Sequence, residues 1–241
     1  MKNFILKFFH KTVNFLWEFP CPVCLRDNPL PHNYNAFCCE CLDAMPLFHG
    51  KRCPGCGAEL DGVLEQCKQC LNMPPRPWKN AMSVMKMEGV GEKVIYALKF
   101  SGNTAIARAL AELSAPLLAD PDFSGVDTVV PVPLHWQRAW QRGYNQSEIL
   151  AQMLAAKLNK PCKNYLKRIR PTIRQATLNR NERLKNLKNA FAVPHPENVR
   201  NRKILLVDDV LTTGSTLHAC AEELLKAGAD SVVIFTAARR M

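Results

Sequence analysis

Four Cys-x-x-Cys pairs between positions 21 and 70 constrain the fold of this 241-residue chain more than any other feature. Each pair can direct two thiolates at one metal ion, because a gap of two residues lets the backbone turn around the metal. The eight candidate ligands are Cys21, Cys24, Cys38, Cys41, Cys53, Cys56, Cys67 and Cys70. Four pairs predict two tetrathiolate zinc sites, which are structural because no coordination position is left open for catalysis.

The order in which the pairs share their metals is not fixed by spacing. We favour successive pairing, the first pair with the second and the third with the fourth, because each loop closure is then short. An interleaved, RING-like pairing is the alternative. Cys39 is an alternative to Cys38 at a poorer spacing, and Cys162 and Cys220 are expected to be core thiols. A disulfide cluster is disfavoured because no export signal accompanies the cysteines.

The N-terminal residues 1–19 predict an amphipathic helix. Lys7, Lys11 and Glu18 interrupt its apolar run, so the sequence predicts neither a signal peptide nor a transmembrane helix. The apolar face of this helix packs on the rest of the protein, or alternatively on a membrane surface. These features lead us to expect a cytoplasmic protein.

Three further regions follow this helix. Residues 20–72 carry the cysteine pairs and predict a small double zinc ribbon, which has too few apolar residues to fold without metal. The segment MPPRPW at 73–78 predicts a stiff linker, because its prolines exclude helix and central strand. We therefore expect a second domain at residues 79–241.

Beyond position 79 the chain alternates between strand and helix patterns. Strands are predicted at 81–87, 127–133, 203–209 and 231–237, and helices at 91–100, 104–118, 145–158 and from 215 to a stop at Gly228. Continuous apolar runs such as ILLV at 204–207 are typical of strands that are covered on both faces. The alternation predicts an α/β fold, a parallel sheet with helices on both faces.

The segment ILLVDDVLTTGST at 204–216 combines two kinds of binding chemistry. Ligands of parallel α/β sheets bind beyond the carboxyl ends of the strands, where we expect Asp208 and Asp209. Two adjacent carboxylates can accept hydrogen bonds from a vicinal diol, and a hydroxyl-rich turn that opens a helix can bind an anion. A diol next to a phosphate describes a ribose 5-phosphate. The alternative interpretation is a capped turn with a solvated aspartate pair.

This segment resembles the signature of type I phosphoribosyltransferases, which bind 5-phosphoribosyl 1-pyrophosphate (PRPP). Together with the cysteine pairs it is similar to the ComF family, which includes ComFC and GntX proteins. Further segments match the pattern of that family: ALKFSGN at 97–103, VPVPLHWQRAWQRGYNQSEILA at 130–151 and RQATLNRNERLKNLKNAF at 174–191. The resemblance covers almost the whole chain. It implies a type I phosphoribosyltransferase-like domain behind an N-terminal double zinc ribbon.

The resemblance also implies roles for individual residues. Asp208 and Asp209 would bind the ribose hydroxyls, and Lys99 would be the main cation of a pyrophosphate loop that includes Ser101 and Gly102. The residues around the 5-phosphate would be Thr212, Thr213, Gly214, Ser215 and Thr216. Mg²⁺ would bridge pyrophosphate and ribose, and the aspartate pair with the lysine would carry any transfer reaction. For the family's role the resemblance implies uptake or use of external DNA, as in natural transformation.

The basic residues are concentrated in one segment. The chain has 32 Lys and Arg against 21 acidic residues, a net charge of +11, and residues 136–188 alone hold thirteen basic and two acidic residues. Aromatic rings among cations suit stacked bases and a tracked phosphate backbone. The candidate contacts for single-stranded DNA are Trp136, Trp140, Arg138, Arg142, Arg170 and Arg174. Alternatively, the arginines bind the pyrophosphate and the tryptophans belong to the core.

Two functions of different class fit these features. The first is a DNA-handling factor, a partner of the DNA-uptake machinery, that retains a phosphoribosyl site. The second is an active phosphoribosyltransferase that acts on an unknown acceptor. Nucleobase-using relatives bind the base with residues after the last strand and with a separate hood. Here the last strand runs into the segment FTAARRM at 235–241, and the cysteine pairs take the hood position. This difference favours the first function.

Overall fold

A computed structural model of the chain describes residues 20–26, 36–60, 62, 64–134, 143–170, 187 and 189–240. Its main sheet has four strands in the order β1-β6-β5-β2, and all neighbouring strands are parallel. The strands are β1 Asn80–Lys86, β2 Thr128–Pro131, β3 Lys167–Arg168, β4 Phe191–Ala192, β5 Lys203–Leu211 and β6 Ser231–Arg239. The short β3 and β4 form a separate antiparallel pair. The predicted parallel α/β fold is therefore confirmed.

Eight α-helices accompany the strands within the described residues. They are α1 Cys39–Asp43, α2 Lys68–Leu71, α3 Val90–Phe100, α4 Thr104–Leu113, α5 Ala115–Leu118, α6 Pro121–Ser124, α7 Gln146–Leu158 and α8 Ser215–Lys226. The single helix predicted at 104–118 is wrong in one respect, because Ser114 separates it into α4 and α5. Pro116 explains the interruption, because it lacks the N–H that a continuous helix would donate to the carbonyl of residue 112.

The two faces of the sheet bury different helices. On one face, Leu205, Val207 and Phe235 pack in a core with apolar residues of α3, α4 and α7. On the other face, Ile204 and Leu206 pack in a core with apolar residues of α8. Side chains of successive strand residues point to opposite faces, so each strand supplies both cores.

The cysteine-containing region covers the outer edge of β1. The Phe48 N–H donates to the Val84 carbonyl at 2.9 Å, and the Lys86 N–H donates to the Pro46 carbonyl at 2.9 Å. Arg52 donates to the Ser83 carbonyl at 2.6 Å. These contacts satisfy backbone groups of an edge strand that would otherwise be open to pairing with another chain.

The neighbours of β5 differ in how far they continue toward its carboxyl end, and this difference leaves room for the acidic pair of β5. β2 pairs with β5 only as far as Pro131 opposite Val207, whereas β6 pairs with β5 as far as Leu211. Asp208 and Asp209 therefore lie inside β5, although we expected them just after the strand. On the β2 side no described strand pairs with their part of β5, and the N-terminus of α7 approaches there.

Several predictions concern residues outside the described ranges. The N-terminal helix at 1–19 is among them, as are Trp136, Arg138, Trp140, Arg142 and Arg174. No helix within the described part of the chain has the length and apolar character needed to cross a membrane.

Candidate functional site

The eight predicted cysteine ligands form two groups of four. The sulfur atoms within each group lie within 4.8 Å of one another. The groups follow the chain order, with Cys21, Cys24, Cys38 and Cys41 in the first cluster and Cys53, Cys56, Cys67 and Cys70 in the second. The structure thus shows the successive pairing that we favoured and not the interleaved one.

The spacing of the sulfurs fits a tetrahedral zinc ion. Zn–S bonds of about 2.3 Å in tetrahedral geometry place the sulfurs about 3.8 Å apart, and both Cys24–Cys38 and Cys56–Cys67 are separated by 3.7 Å. In each cluster a backbone N–H also donates to the first sulfur. The Cys38 nitrogen lies 3.4 Å from Cys21 Sγ, and the Cys67 nitrogen lies 3.4 Å from Cys53 Sγ. A zinc ion in either cluster would have only thiolate ligands and would serve folding, not catalysis.

The remaining cysteines lie outside the clusters. Cys39 is exposed and is not a member of the first cluster, so the structure places Cys38 in the ligand set. Cys220 lies on the buried face of α8 and belongs to the core, as predicted. Cys162 is half-buried and packs at the edge of the other core, where burial raises the pKa of its thiol to about 11.

The acidic pair of β5 is held by the N-terminus of α7. Ser147 donates its hydroxyl to Asp208 Oδ1 at 2.9 Å, and Gln146 donates its amide to Asp209 Oδ2 at 3.1 Å. Both donors are buried. Asn145 caps this helix, since its side chain accepts from the Ser147 N–H at 3.1 Å. Both carboxylates are therefore oriented by hydrogen bonds from side chains that the capped N-terminus of α7 holds in place.

Lys99 joins this group from the last turn of α3. Its Nζ lies 3.1 Å from Asp209 Oδ2, and both side chains are mostly buried. Tyr144 fixes the loop after α3, because its hydroxyl donates to the Leu98 carbonyl at 2.9 Å and accepts from the Gly102 N–H at 3.1 Å. The predicted pyrophosphate loop thus meets the aspartate pair, and the segment that leads into α7 holds both.

The electrostatics of the pair are unusual for carboxylates. Desolvation, together with the negative charge of Asp209, raises the pKa of Asp208 to about 7. The hydrogen bond from Ser147 and the charge of Lys99 act in the opposite direction and are weaker. Asp208 therefore exchanges a proton near neutral pH, while Asp209 carries the ion pair with Lys99.

The hydroxyl-rich turn follows directly from the end of β5. Gly214 has φ +77° and ends the turn, and α8 begins at Ser215. The hydroxyls of Thr213 and Ser215 are 2.9 Å apart, and Thr213 Oγ1 accepts from the Ser215 N–H at 3.4 Å. A positive φ favours glycine, which explains Gly214 at this position. Hydroxyls and backbone N–H groups at the N-terminus of a twelve-residue helix are the donors that suit an anion.

The structure therefore brings Lys99, Asp208, Asp209 and the Thr212–Thr216 turn to the carboxyl end of one sheet. Sequence reasoning did not assign a contact to Ser147, Gln146 or Tyr144, which it quoted only within the family segment at 130–151. The available signal was a serine and a glutamine at the start of a predicted helix, since such positions can face the neighbouring strand ends. Of the six predicted DNA contacts only Arg170 is described, and it is exposed two residues after β3.

Comparison with known proteins finds a domain family and solved structures that this chain resembles. The family model of the phosphoribosyl transferase domain matches residues 144–241. A solved structure of glutamine PRPP amidotransferase from B. subtilis, complexed with ADP and GMP, has a TM-score of 0.41 and 17% identity, and the alignment covers 59% of this chain and 30% of that one.

The sequence relatives extend over most of the chain. Competence protein F of Haemophilus influenzae is 33% identical over 85% of this chain and 91% of its own length. DNA utilization protein YhgH of Escherichia coli K12 is 37% identical over 78% of this chain and 84% of its own length. Competence protein ComFC of Bacillus subtilis is 28% identical over 84% of this chain and 83% of its own length. The chain therefore belongs to the ComF family of phosphoribosyltransferase-like proteins.

Proposed function

We propose that the protein binds PRPP or a related phosphoribosyl ligand at the carboxyl end of the sheet. The observation that carries this proposal is the convergence of Lys99 and the aspartate pair beside the Thr212–Thr216 turn. The aspartates would accept from the ribose hydroxyls, the turn and the start of α8 would hold the 5-phosphate, and Lys99 would face the pyrophosphate. Mg²⁺ would enter with the pyrophosphate and neutralise part of its charge.

The test is titration calorimetry with Mg-PRPP. Asp208→Asn combined with Asp209→Asn should abolish binding and leave the fold intact, because both substitutions keep the shape of the side chains and remove their charge. Gly214→Val should also prevent binding, because its φ of +77° is strained for a β-branched residue. Unchanged affinity in the double aspartate variant would refute the proposed ligand site.

We further propose that the protein acts in the uptake or use of external DNA and binds single-stranded DNA. The names of the relatives, competence protein and DNA utilization protein, support the first part. The net charge of +11 and its concentration between 136 and 188 support the second, because the phosphate backbone dominates the affinity of such binding. Electrophoretic or fluorescence titration with single-stranded oligonucleotides tests it directly.

An active phosphoribosyltransferase is the second candidate, and one observation favours it. Asp208, with a pKa of about 7, can accept a proton from an acceptor at neutral pH. Lys99 lies where it can stabilise the charge of a departing pyrophosphate. Release of pyrophosphate from Mg-PRPP in the presence of candidate acceptors would establish this function, and its absence with every acceptor class would leave a binding role.

A further inference from the structure

Two arginines connect the second cysteine cluster with the turn at 211–214. Arg239, at the end of β6, is almost fully buried. Its guanidinium donates to the Leu211 carbonyl at 3.2 Å and to the Thr212 carbonyl at 2.8 Å, and it also donates to the side-chain oxygen of Gln69. One buried cation therefore joins the start of the turn to a residue of the cysteine region.

Gln69 owes its position to the second cluster. It lies on α2 between Cys67 and Cys70, two of the four clustered sulfurs. A four-residue helix has no stability of its own, because helix nucleation is unfavourable. The place of the Gln69 side chain therefore depends on the ligands on either side of it, and these depend on the metal.

Arg76 makes the second connection, from the segment that we predicted to be a linker: its Nη2 donates to Met73 Sδ at 3.1 Å, and the Met73 N–H donates to the Cys70 carbonyl at 3.1 Å. Arg76 also donates to the Thr213 carbonyl from both terminal nitrogens, at 3.2 and 3.3 Å. Its guanidinium carbon is 5.1 Å from the centre of the Trp78 ring, and that ring packs edge-on against His218 of α8. A Cβ added to Gly214 would lie 3.0 Å from Arg76 Nη1, so a side chain at this position would crowd the guanidinium. The segment is thus packed against the turn and not merely a spacer.

The consequence for the turn follows from peptide geometry. In a trans peptide the carbonyl and the next N–H point in opposite directions. The two arginines hold the carbonyls of Leu211, Thr212 and Thr213, so the following N–H groups, those of residues 212, 213 and 214, each point away from the arginine that binds the preceding carbonyl. Those are backbone donors of the turn that we propose binds the 5-phosphate.

We propose that the second cysteine cluster, acting through Gln69, Arg239 and Arg76, positions the phosphate-binding turn, so that affinity for the phosphoribosyl ligand depends on the metal in that cluster. This inference rests on the proposed function, since it concerns the same site. The arginines are positioning residues, because they contact the carbonyls of the turn, whereas the ligand would contact the N–H groups of the turn. The first cluster makes no corresponding contact with the turn in the described part of the chain.

Side-chain substitutions test the connection without disturbing a cysteine. Gln69 is exposed, so Gln69→Leu should fold, and it removes the acceptor of Arg239. It should weaken Mg-PRPP binding about tenfold, the effect of one lost hydrogen bond to a charged group, and speed amide hydrogen exchange at 211–216. Gln69→Glu keeps an acceptor oxygen and should restore both properties. Gln66→Leu is the matched control, since Gln66 has no hydrogen bond among the described residues, and it should resemble wild type.

Cysteine substitutions test the dependence on metal. Cys38 and Cys67 are equivalent members of the two clusters, because each precedes a short helix and directs its N–H at the first sulfur of its cluster at 3.4 Å. Cys67→Ser should speed exchange at 211–216 and weaken Mg-PRPP binding, whereas Cys38→Ser should do neither. Protection of the β5 core at 204–207 reports in each variant whether the sheet is still folded.

The outcomes separate the two proposals. If wild type binds Mg-PRPP but Gln69→Leu shows wild-type affinity and wild-type exchange, the positioning role is refuted and the ligand site stands. Equal effects of Cys38→Ser and Cys67→Ser would also overturn it. If wild type binds no PRPP, the proposed ligand fails, and exchange at 211–216 alone decides the connection: faster exchange in Gln69→Leu and Cys67→Ser supports it, and unchanged exchange refutes it.

Discussion

The ammonium group of Lys99 lies 3.1 Å from Asp209 Oδ2, so the residue proposed for pyrophosphate and a residue proposed for ribose form an ion pair with each other. Both are mostly shielded from water, which strengthens their attraction. A pyrophosphate that recruits Lys99 has to compete with Asp209 for it. The carboxylate then keeps Gln146 as its donor and can accept from a ribose hydroxyl.

Removal of the Lys99 charge should affect pyrophosphate more than ribose phosphate. Lys99→Gln should weaken Mg-PRPP binding roughly 10- to 100-fold, since a hydrogen bond to a charged group contributes about 1.5–3 kcal/mol. Binding of ribose 5-phosphate, which has no pyrophosphate, should change less than about threefold. Calorimetry with both ligands measures the difference, and Lys93→Gln, an exposed lysine of the same helix, is the control. Equal losses for the two ligands would assign Lys99 another role.

The raised pKa of Asp208 predicts a pH-dependent stability. The folded protein holds a proton on Asp208 up to about pH 7, whereas the unfolded chain loses it near the ordinary value of 3.8. The folded state therefore binds more protons in this interval, and stability falls as pH rises from about 4 to about 7, by up to about 1.4 kcal/mol per pH unit. Asp208→Asn has no such proton to lose.

The measurement is the difference in melting temperature between wild type and Asp208→Asn. The melting temperature of wild type should fall relative to that of Asp208→Asn as the pH rises from about 5.5 to about 7.5. Above that pH the difference between the two melting temperatures should become constant. Other groups that titrate in this range, including those of the cysteine clusters, contribute equally to both proteins and cancel. Asp230→Asn, an exposed aspartate before β6, serves as control. A difference that is flat with pH would contradict the raised pKa.

Much of the architecture was predictable because its determinants are local. The Cys-x-x-Cys spacing predicts turns that direct two thiolates at one metal ion. Short loop closure predicts that successive pairs share a metal, and the structure shows this pairing. Apolar runs and caps predict the strands and helices, and the position of Asp208 and Asp209 near the carboxyl end of β5 follows from the parallel order. Each of these features is determined by residues that are close together in the sequence.

The features that sequence reasoning missed depend on residues far apart in the chain. Arg76 meets Thr213 across 137 residues, and Gln69 meets Arg239 across 170. No periodicity connects such positions, and the prolines around Arg76 predict only the absence of helix and strand. The extension of β5 to Leu211 has a similar origin, because it requires the partner strand β6 to continue as far as Arg239.

The cysteine clusters predict a definite metal content. Purified protein should contain about two zinc ions per chain. Cys38→Ser should lower this to about one, because a three-thiolate site binds zinc more weakly. Cys39→Ser is a matched control from the adjacent position, and since Cys39 is exposed and outside the cluster it should keep two. Atomic absorption or a chromophoric chelator measures the content, and loss of one zinc ion in Cys39→Ser would reassign the ligand.

Tyr144 should matter for ligand binding more than for folding. Tyr144→Phe removes the hydroxyl that bridges Leu98 and Gly102, at a cost of about 1 kcal/mol in stability. The loop that carries Lys99 is then less restrained, so Mg-PRPP affinity should fall several-fold, while zinc content is unchanged. Tyr96→Phe, an exposed tyrosine of α3, provides the comparison. If both variants bind equally to wild type, the Tyr144 hydroxyl does not organise the site.

Single-stranded DNA should bind without strong sequence preference, and its affinity should fall steeply with salt. Charge reversal should weaken binding and flatten the salt dependence, because fewer counterions are released. The residues to be reversed together are Arg138, Arg142, Arg170 and Arg174. Trp136→Ala or Trp140→Ala should weaken binding with the salt slope almost unchanged, because base stacking releases no counterions. The two sets of variants distinguish a binding groove from general attraction to a basic protein.

Competition with Mg-PRPP determines whether DNA and the phosphoribosyl ligand share these cations. If the arginines serve chiefly the pyrophosphate, excess Mg-PRPP should displace the oligonucleotide, and Lys99→Gln should reduce that displacement because it weakens the competitor. If the arginines form a separate groove, saturating Mg-PRPP should leave DNA affinity unchanged at constant ionic strength. Mg-pyrophosphate at the same concentration controls for screening by a multivalent anion.

The charge-reversal experiment also has an outcome that would contradict DNA binding. If reversal of all four arginines leaves DNA affinity at its wild-type value, the basic segment is a solvated face and the transferase function becomes the preferred one.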